Sequence, residues 1–260
     1  VCMIRTALRE FYEADYAFIY EFSDDDISFA YRRLGYRNVL CGDVFVHHEG
    51  STISAAVPEQ RAENIEKGRA LFRCKYNGID AWSDVVNFEV YLRRALFEHA
   101  EMRENASVLG IDVRCGTPIM EIRNTLRENG LREALLTAYT TDPKYWQDLS
   151  CFCEGDVFCG DIDRLSHKLG DALYDYIIIG EYGDLYEDAL AVIRSAASHL
   201  CAGGALVCKL RNYDLPYELE AVANALQTLP APLAQGMQRL EAELRNLPYH
   251  INIYPYMEDA

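Results

Sequence analysis

From residue 106 onward, apolar residues fall in short unbroken runs separated by stretches of helical period. The runs are "SVLGIDV", "EALLTAY", "DVFCGDI", "YDYIIIGE" and "GALVCKL". Strands that are apolar on both faces need covering on both faces, so this pattern predicts a parallel sheet between helices. Among the intervening helices, "TPIMEIRNTLREN" carries Thr117 as its expected cap and Pro118 at its first position. The helix "EDALAVIRSAASHL" precedes the last run. Residues 1–54 instead alternate strand-like runs, "CMIR" and "NVLCGDVFVHHEG", with the helix "DISFAYRRLG". Between them the period is helical, with Phe88, Leu92, Ala95 and Leu96 on one face. That stretch lacks the composition of a flexible linker and predicts a helical connector. Near the C-terminus, Leu219, Val222, Leu226 and Leu229 form one apolar seam. Leu233, Met237, Leu240, Leu244 and Leu247 form another, and the turn "LPAPL" between them predicts a helical hairpin.

Composition narrows the partners. At 260 residues, half of them hydrophobic, the chain has ample material for a buried core. A formal net charge of -16 argues against nucleic acid or an anionic lipid surface as a general partner. Nine cysteines, an odd number without regular spacing, read as reduced thiols of a cytoplasmic protein. Cys151, Cys153 and Cys159 lie close in sequence, but they lack zinc-ligand spacing and an evident fourth ligand, so they read as buried strand thiols. His99, His167, His199 and His250 likewise have no ligand-like spacing. No apolar run reaches the roughly 18 residues of a membrane span. The chain opens on Val1 and runs at once into ordered-looking sequence, as a piece of something longer would.

Three successive acids, Asp24, Asp25 and Asp26, stand at the start of the first predicted helix. Ser23 or Asp24 can cap its orphan amides, and Arg32 and Arg33 complement the dipole at its other end. A third adjacent acid exceeds what capping needs. The segment "CMIRTAL", "SDDDISFAYRRLGYRNVLCGD" and "VFVHHEGS" resembles the C-terminal part of family 2 glycosyltransferases, which have the GT-A fold. The resemblance implies that Asp24 is the general base at the acceptor hydroxyl and that Asp26 is the motif's second acid. It also implies that His48 ligates a divalent metal ion at the donor diphosphate. Ala30 departs from the family's usual arginine, and the nucleotide-binding half of that domain would lie before residue 1.

Residues 106–213 resemble a class I S-adenosylmethionine-dependent methyltransferase. "VLGIDVRCGTP" matches the first motif, with Asp112 as its acid and Gly116 as the retained glycine. "VFCGDIDRL" matches the strand-end acid that contacts adenine, Asp161, with Ile162 beside the ring. "YDYIIIGEYGDLYED" matches the fourth strand, with Glu181 at its end, and the active-site loop beyond. "LCAGGALVCKLRNY" matches the turn and fifth strand. The acid for the ribose hydroxyls is displaced to Asp142, and Arg114 and Pro118 replace two of the first motif's three glycines.

The expected architecture is therefore α/β, with a Rossmann-like, mostly parallel sheet. Residues 1–56 are the GT-A portion, 57–105 the helical connector, 106–213 the methyltransferase-like domain, and 214–260 the helical hairpin and tail. The resemblances imply sugar transfer from a nucleotide-sugar to a glycan or cell-surface acceptor in the parent protein, with S-adenosylmethionine as the second domain's cofactor. The alternative is a non-catalytic Rossmann domain that serves as a docking or structural module.

Overall fold

The computed structural model describes residues 22–36, 38, 45, 47, 58–85, 90–210, 242–246 and 248–250. The strand-like runs expected around the first helix, His48, and most of the expected C-terminal hairpin lie outside the described residues. The chain divides into two compact units. One is Val1–Asn87 with Lys144–Phe152; the other is Phe88–Pro143 with Cys153–Ala260.

In the first unit, helix α1 spans Ser23–Arg33 and helix α2 spans Pro58–Lys75. A π turn follows at Ala81–Val85, and Lys144–Phe152 adds the short helix Trp146–Ser150. Neither Ser23 nor Asp24 caps α1. Its N-cap is Phe22, at φ 70, with no side-chain cap hydrogen bond. Phe22, Phe29, Phe72 and Tyr76 form the aromatic centre, with ring centroids of Phe29 and Tyr76 4.7 Å apart. Around it, each buried acid among the described residues is paired. Asp26 is fully buried; Lys75 Nζ lies 2.8 Å from Oδ1 and the Tyr76 hydroxyl donates to Oδ1 at 2.6 Å. Asp148 accepts from Arg33 at 2.8 Å and Arg32 at 3.5 Å. Asp80 accepts from Arg69 at 2.6 Å and pairs with Arg73. Asp84 accepts from Tyr145 at 2.7 Å, Lys144 at 3.0 Å and the Asp80 amide at 2.7 Å. The third acid in α1 is thus an internal anchor. A buried carboxylate is tolerated in such a place only with this kind of pairing and hydrogen bonding.

The second unit contains the sheet. Its elements are α3 (Val90–His99), β1 (Ser107–Ile111), α4 (Thr117–Glu128), β2 (Leu135–Thr140), β3 (Val157–Cys159), α5 (Leu165–Leu169), β4 (Tyr174–Tyr182), α6 (Ala189–Ala197) and β5 (Leu200–Lys209). All neighbouring strands are parallel, in the order β3-β2-β1-β4-β5. This is a Rossmann-like α/β sheet, and the five strands stand where the five apolar runs predict them. Leu109, Ile111, Ile177 and Ile179 face one core together with Leu165 and Leu169 of α5 and Val192, Ile193 and Ala196 of α6. Leu244, from the second predicted apolar seam, is buried in that same core. On the alternate positions, Tyr176 meets Phe97 of α3 edge-on at 5.4 Å, and Gly110 leaves room for Ile119 of α4. Both faces are covered, as the unbroken apolar runs require.

One device bolts the amino ends of β1 and β4. Asp175 accepts from the Ser107 amide and hydroxyl, each at 2.9 Å, and from Arg103 at 2.7 Å. The carboxyl ends are left to the loops that carry the candidate chemistry.

Candidate functional site

In an open parallel sheet, the natural ligand position is the crevice beyond the strands' carboxyl ends, where the strand order reverses. Here the order reverses between β1 and β4. The loop after β1 leaves this reversal point on an unusual backbone. Asp112, Arg114 and Gly116 all have positive φ, at 46, 48 and 82. Gly116 takes this conformation freely and is the N-cap of α4, in place of the expected Thr117. Arg114 occupies the left-handed region against the preference of an L-residue. Close seating of the loop depends on Gly180 near the end of β4. A Cβ there would stand 2.7 Å from Val113 Cα and 2.8 Å from the Asp112 carbonyl oxygen.

Two polar ties cross the reversal point. The Arg114 guanidinium forks onto Glu181, with Nε at 2.5 Å from one carboxylate oxygen and a terminal nitrogen at 3.2 Å from the other. Both side chains are partly exposed, at 34% and 23%. Deeper, the Tyr186 hydroxyl donates to Asp112 at 2.7 Å. Asp112 also accepts from the Thr141 amide at 2.6 Å and the Thr141 hydroxyl at 3.0 Å, which ties in the loop after β2. Burial raises the Asp112 carboxyl above the ordinary carboxylate range, against the lowering effect of these three donors. Burial and the facing Asp112 charge push the Tyr186 hydroxyl up as well, so it remains a proton donor.

The adenine-side candidates lie at the ends of β2 and β3. The Tyr139 hydroxyl donates to the Asp161 carbonyl at 2.5 Å and fixes the turn that presents an exposed Asp161 and a half-buried Ile162. Burial, followed by the Asp112 and Asp161 charges, raises Tyr139 to about 12. Asp142 is exposed after β2, with its backbone held by the Thr140 hydroxyl at 3.0 and 3.2 Å. Asp112, Gly116, Asp142, Asp161, Ile162 and Glu181 therefore all belong to one edge of one sheet.

The other expected site residues belong to the first unit. Asp24 is exposed in the first turn of α1, and Asp26 is enclosed by Lys75 and Tyr76. Among the described residues no group of histidines, cysteines and acids could hold a metal ion. Cys151 is exposed and Cys153 and Cys159 are half-buried. No described helix is long and apolar enough to cross a membrane. Sequence reasoning missed Thr141 and Tyr186. Their only advance signal is position: each is a hydroxyl residue just past a strand end, in a loop that borders the first motif.

No protein-family model matches the sequence, and no curated protein matches it. Similar solved structures include a complex between the Haloferax volcanii Trm112 methyltransferase activator and a methyltransferase, at 15% identity and TM-score 0.39, covering 54% of this chain and 57% of that one. The plantazolicin methyltransferase BpumL, complexed with a desmethylPZN analogue and SAH, is 15% identical with TM-score 0.40 and covers 66% and 63%. The SAH-bound Podospora anserina methyltransferase PaMTH1 is 11% identical with TM-score 0.40, covering 79% and 91%. The chain spans less than two thirds of the length of the first two.

Proposed function

We propose that the second unit is a methyltransferase-like domain that binds S-adenosylmethionine at the carboxyl edge of its sheet. The observation that carries this reading is that the motif residues all follow the carboxyl ends of strands in one parallel sheet, Asp112, Gly116 and Glu181 at the β1/β4 reversal point and Asp142, Asp161 and Ile162 after β2 and β3. The residues fit such a molecule. Gly116 turns the loop at φ 82 and Gly180 lets it seat closely, Asp161 and Asp142 offer exposed carboxylates for an amino group and for ribose hydroxyls, and Ile162 offers an apolar edge for a base. When bound, the cofactor supplies a methyl group on a sulfonium, which leaves as a neutral thioether. The chain's own part is to bind and orient the nucleoside. Asp112, which already accepts three hydrogen bonds from Thr141 and Tyr186, organises the loops at this edge.

Sugar transfer by the first segment is not part of the proposed function, because Asp26, the second acid of that motif, is closed off by Lys75 and Tyr76. Titration calorimetry of the intact chain with S-adenosylhomocysteine tests the proposal. Binding that weakens about tenfold, equivalent to ~1.4 kcal/mol, in Asp161→Ala supports it. Absence of heat at millimolar ligand leaves the non-catalytic module as the better reading.

A further inference from the structure

The geometry points to a second ligand site in the second unit: an open cleft between α3 and α4 that fits a small zwitterion with its two charges at opposite ends of a flat apolar body. The cleft lies between helices that cover one face of the sheet. It shares no residue with the carboxyl edge and does not depend on the cofactor reading.

The cleft encloses about 560 Å³ and is lined by Arg93, Arg94, Phe97 and Glu98 of α3 and by Thr125 and Glu128 of α4. Small molecules are ordinarily held in spaces of roughly 300–1,000 Å³. Helical spacing explains why these residues share it. Arg93 and Phe97, like Arg94 and Glu98, are one turn apart on α3, and Thr125 and Glu128 follow one another on α4 at three-residue spacing. The Arg93 guanidinium reaches across to Glu121, one turn before Thr125, at 3.4 Å. Phe97 is fixed from below by Tyr176 of the sheet, which meets it edge-on.

The charges are sorted along the cleft. One end carries Arg93 and Arg94. Arg93 gives Glu121 a single long contact, so most of its donors are left for another acceptor. The other end carries Glu98, about 6 Å further along α3, and Glu128. Among the described residues, Arg94 and Glu98 make no ion pair, although they stand one turn apart. An arginine that precedes a glutamate is the weaker order for such a helical pair, so each charge stays open to a third group.

Between the charged ends lie Phe97 and Thr125. The Thr125 hydroxyl oxygen is buried and has no hydrogen-bond partner. A threonine inside a helix commonly bonds the carbonyl one turn back, and a buried polar group without a partner is an exception that calls for a cause. Here the orphaned hydroxyl lines a cleft, where a ligand can supply the partner that the fold does not.

These features select the ligand class. Counting Glu121, the cleft is bordered by two cations and three acids, so neither a simple anion nor a simple cation suits its whole length. A molecule with a carboxylate at one end and an ammonium at the other suits both. A guanidinium takes the carboxylate in a planar two-point contact, Glu98 takes the ammonium, and Phe97 takes the apolar body.

The test is a saturation-transfer NMR titration of the intact chain with three molecules of one shape. The zwitterion 4-(aminomethyl)benzoate is compared with 4-methylbenzoate, which has only the anion, and 4-methylbenzylamine, which has only the cation. The zwitterion should bind at least about tenfold more tightly than either. Arg94→Gln should bring it within about twofold of 4-methylbenzylamine, and Glu98→Gln within about twofold of 4-methylbenzoate. Thr125→Val removes the orphaned hydroxyl at nearly constant size. It should weaken the zwitterion about threefold or more while the melting temperature holds or rises, which a packing role would not produce. Thermal melts of the two charge variants check that the fold is retained. The assignment is overturned by failure of all three molecules to bind at about 10 mM, by equal affinity for all three, or by a preference that survives either charge substitution. It is also overturned if Thr125→Val lowers the melting temperature and leaves binding unchanged.

Discussion

Asp26 and Tyr76, fifty positions apart, meet through a 2.6 Å hydrogen bond from the tyrosine hydroxyl to a carboxylate that has no solvent exposure. Lys75 completes the arrangement from the same end of α2. The relationship turns an acid that looks catalytic in the sequence into a clasp between two helices. Asp26→Ala would leave the Tyr76 hydroxyl buried without this acceptor, while Lys75, about a third exposed, could turn to water. The expected cost is about 2–3 kcal/mol, below the full penalty for breaking a fully buried pair. Asp26→Asn keeps an acceptor and should cost less. Both tryptophans, Trp82 and Trp146, belong to the first unit, so tryptophan fluorescence during urea unfolding reports on it selectively. An unchanged midpoint in Asp26→Ala would rule out the clasp.

Asp80 and Asp84 of the first unit should respond to pH in the opposite sense to Asp112 of the second. Burial pushes Asp80 and Asp84 up, but hydrogen bonds outweigh it and leave both carboxyls below the ordinary range. For Asp80 these come from Arg69, the Ser83 and Trp82 amides and Arg73; for Asp84, from the Asp80 amide, Tyr145 and Lys144. Their stabilisation is present above the unfolded value of about 3.9 and is lost as pH falls through the folded values. Asp112 is raised by burial, so its contribution is complete below the unfolded value and declines as pH rises through the folded one. Between about pH 5 and pH 2 the fluorescence-detected unfolding of the first unit should therefore move steeply to lower urea. Asp84→Asn should flatten that slope. A slope unaltered by the substitution would remove Asp84 from the account.

The sheet was readable in advance because parallel strands covered on both faces leave unbroken apolar runs, and Leu109, Ile111, Ile177 and Ile179 are such residues. The site was readable in part. Asp112, Asp161 and Glu181 stand at strand ends, and a strand end is a local feature. What those acids touch is not local: Thr141 and Tyr186 reach Asp112 across 29 and 74 positions, and no spacing rule links them. The acids of α1 were misleading for the same reason. A run of three invites a reading by capping or catalysis, whereas Asp26 is explained only by Lys75 and Tyr76 on another helix.

Gly180 should be among the least replaceable positions of the second unit. A Cβ would press on the backbone at Val113 and Asp112, which cannot move aside as a flexible side-chain tip could. Gly180→Ala should cost about 1–3 kcal/mol by overpacking. Gly130, at φ 83 with nothing within 4 Å of where a methyl group would stand, is the control for conformation alone, and Gly130→Ala should cost about 1 kcal/mol. Circular dichroism melts of the two variants measure the difference. Equal losses would mean that the loop after β1 gives way easily.

Arg114 permits a separation of backbone strain from charge. Arg114→Ala removes the fork onto Glu181 and keeps a side chain at φ 48; Arg114→Gly removes the fork and relaxes the backbone. The glycine variant should be the more stable of the two by about 1 kcal/mol. Because the lost ion pair is partly exposed and worth roughly 0–1 kcal/mol, the glycine variant should lie close to the wild type. Alanine at or above glycine in melting temperature would show that the turn is not strained.

The assignment of Lys144–Phe152 to the first unit has a consequence for how this protein can be divided. The polypeptide crosses from one unit to the other three times, after residues 87, 143 and 152. A gene cut at the first crossing yields an N-terminal product lacking Lys144, Tyr145 and Asp148, so Asp84 loses two donors and Arg32 and Arg33 lose their shared acid. The C-terminal product would carry Leu149 and Asp148, both without solvent exposure in the whole chain, on an orphaned excursion between β2 and β3. Neither half is a self-sufficient cassette. A first unit that is to be expressed, transplanted or inherited on its own needs those nine residues grafted back by a linker, and a second unit needs the gap after Pro143 rejoined to Cys153.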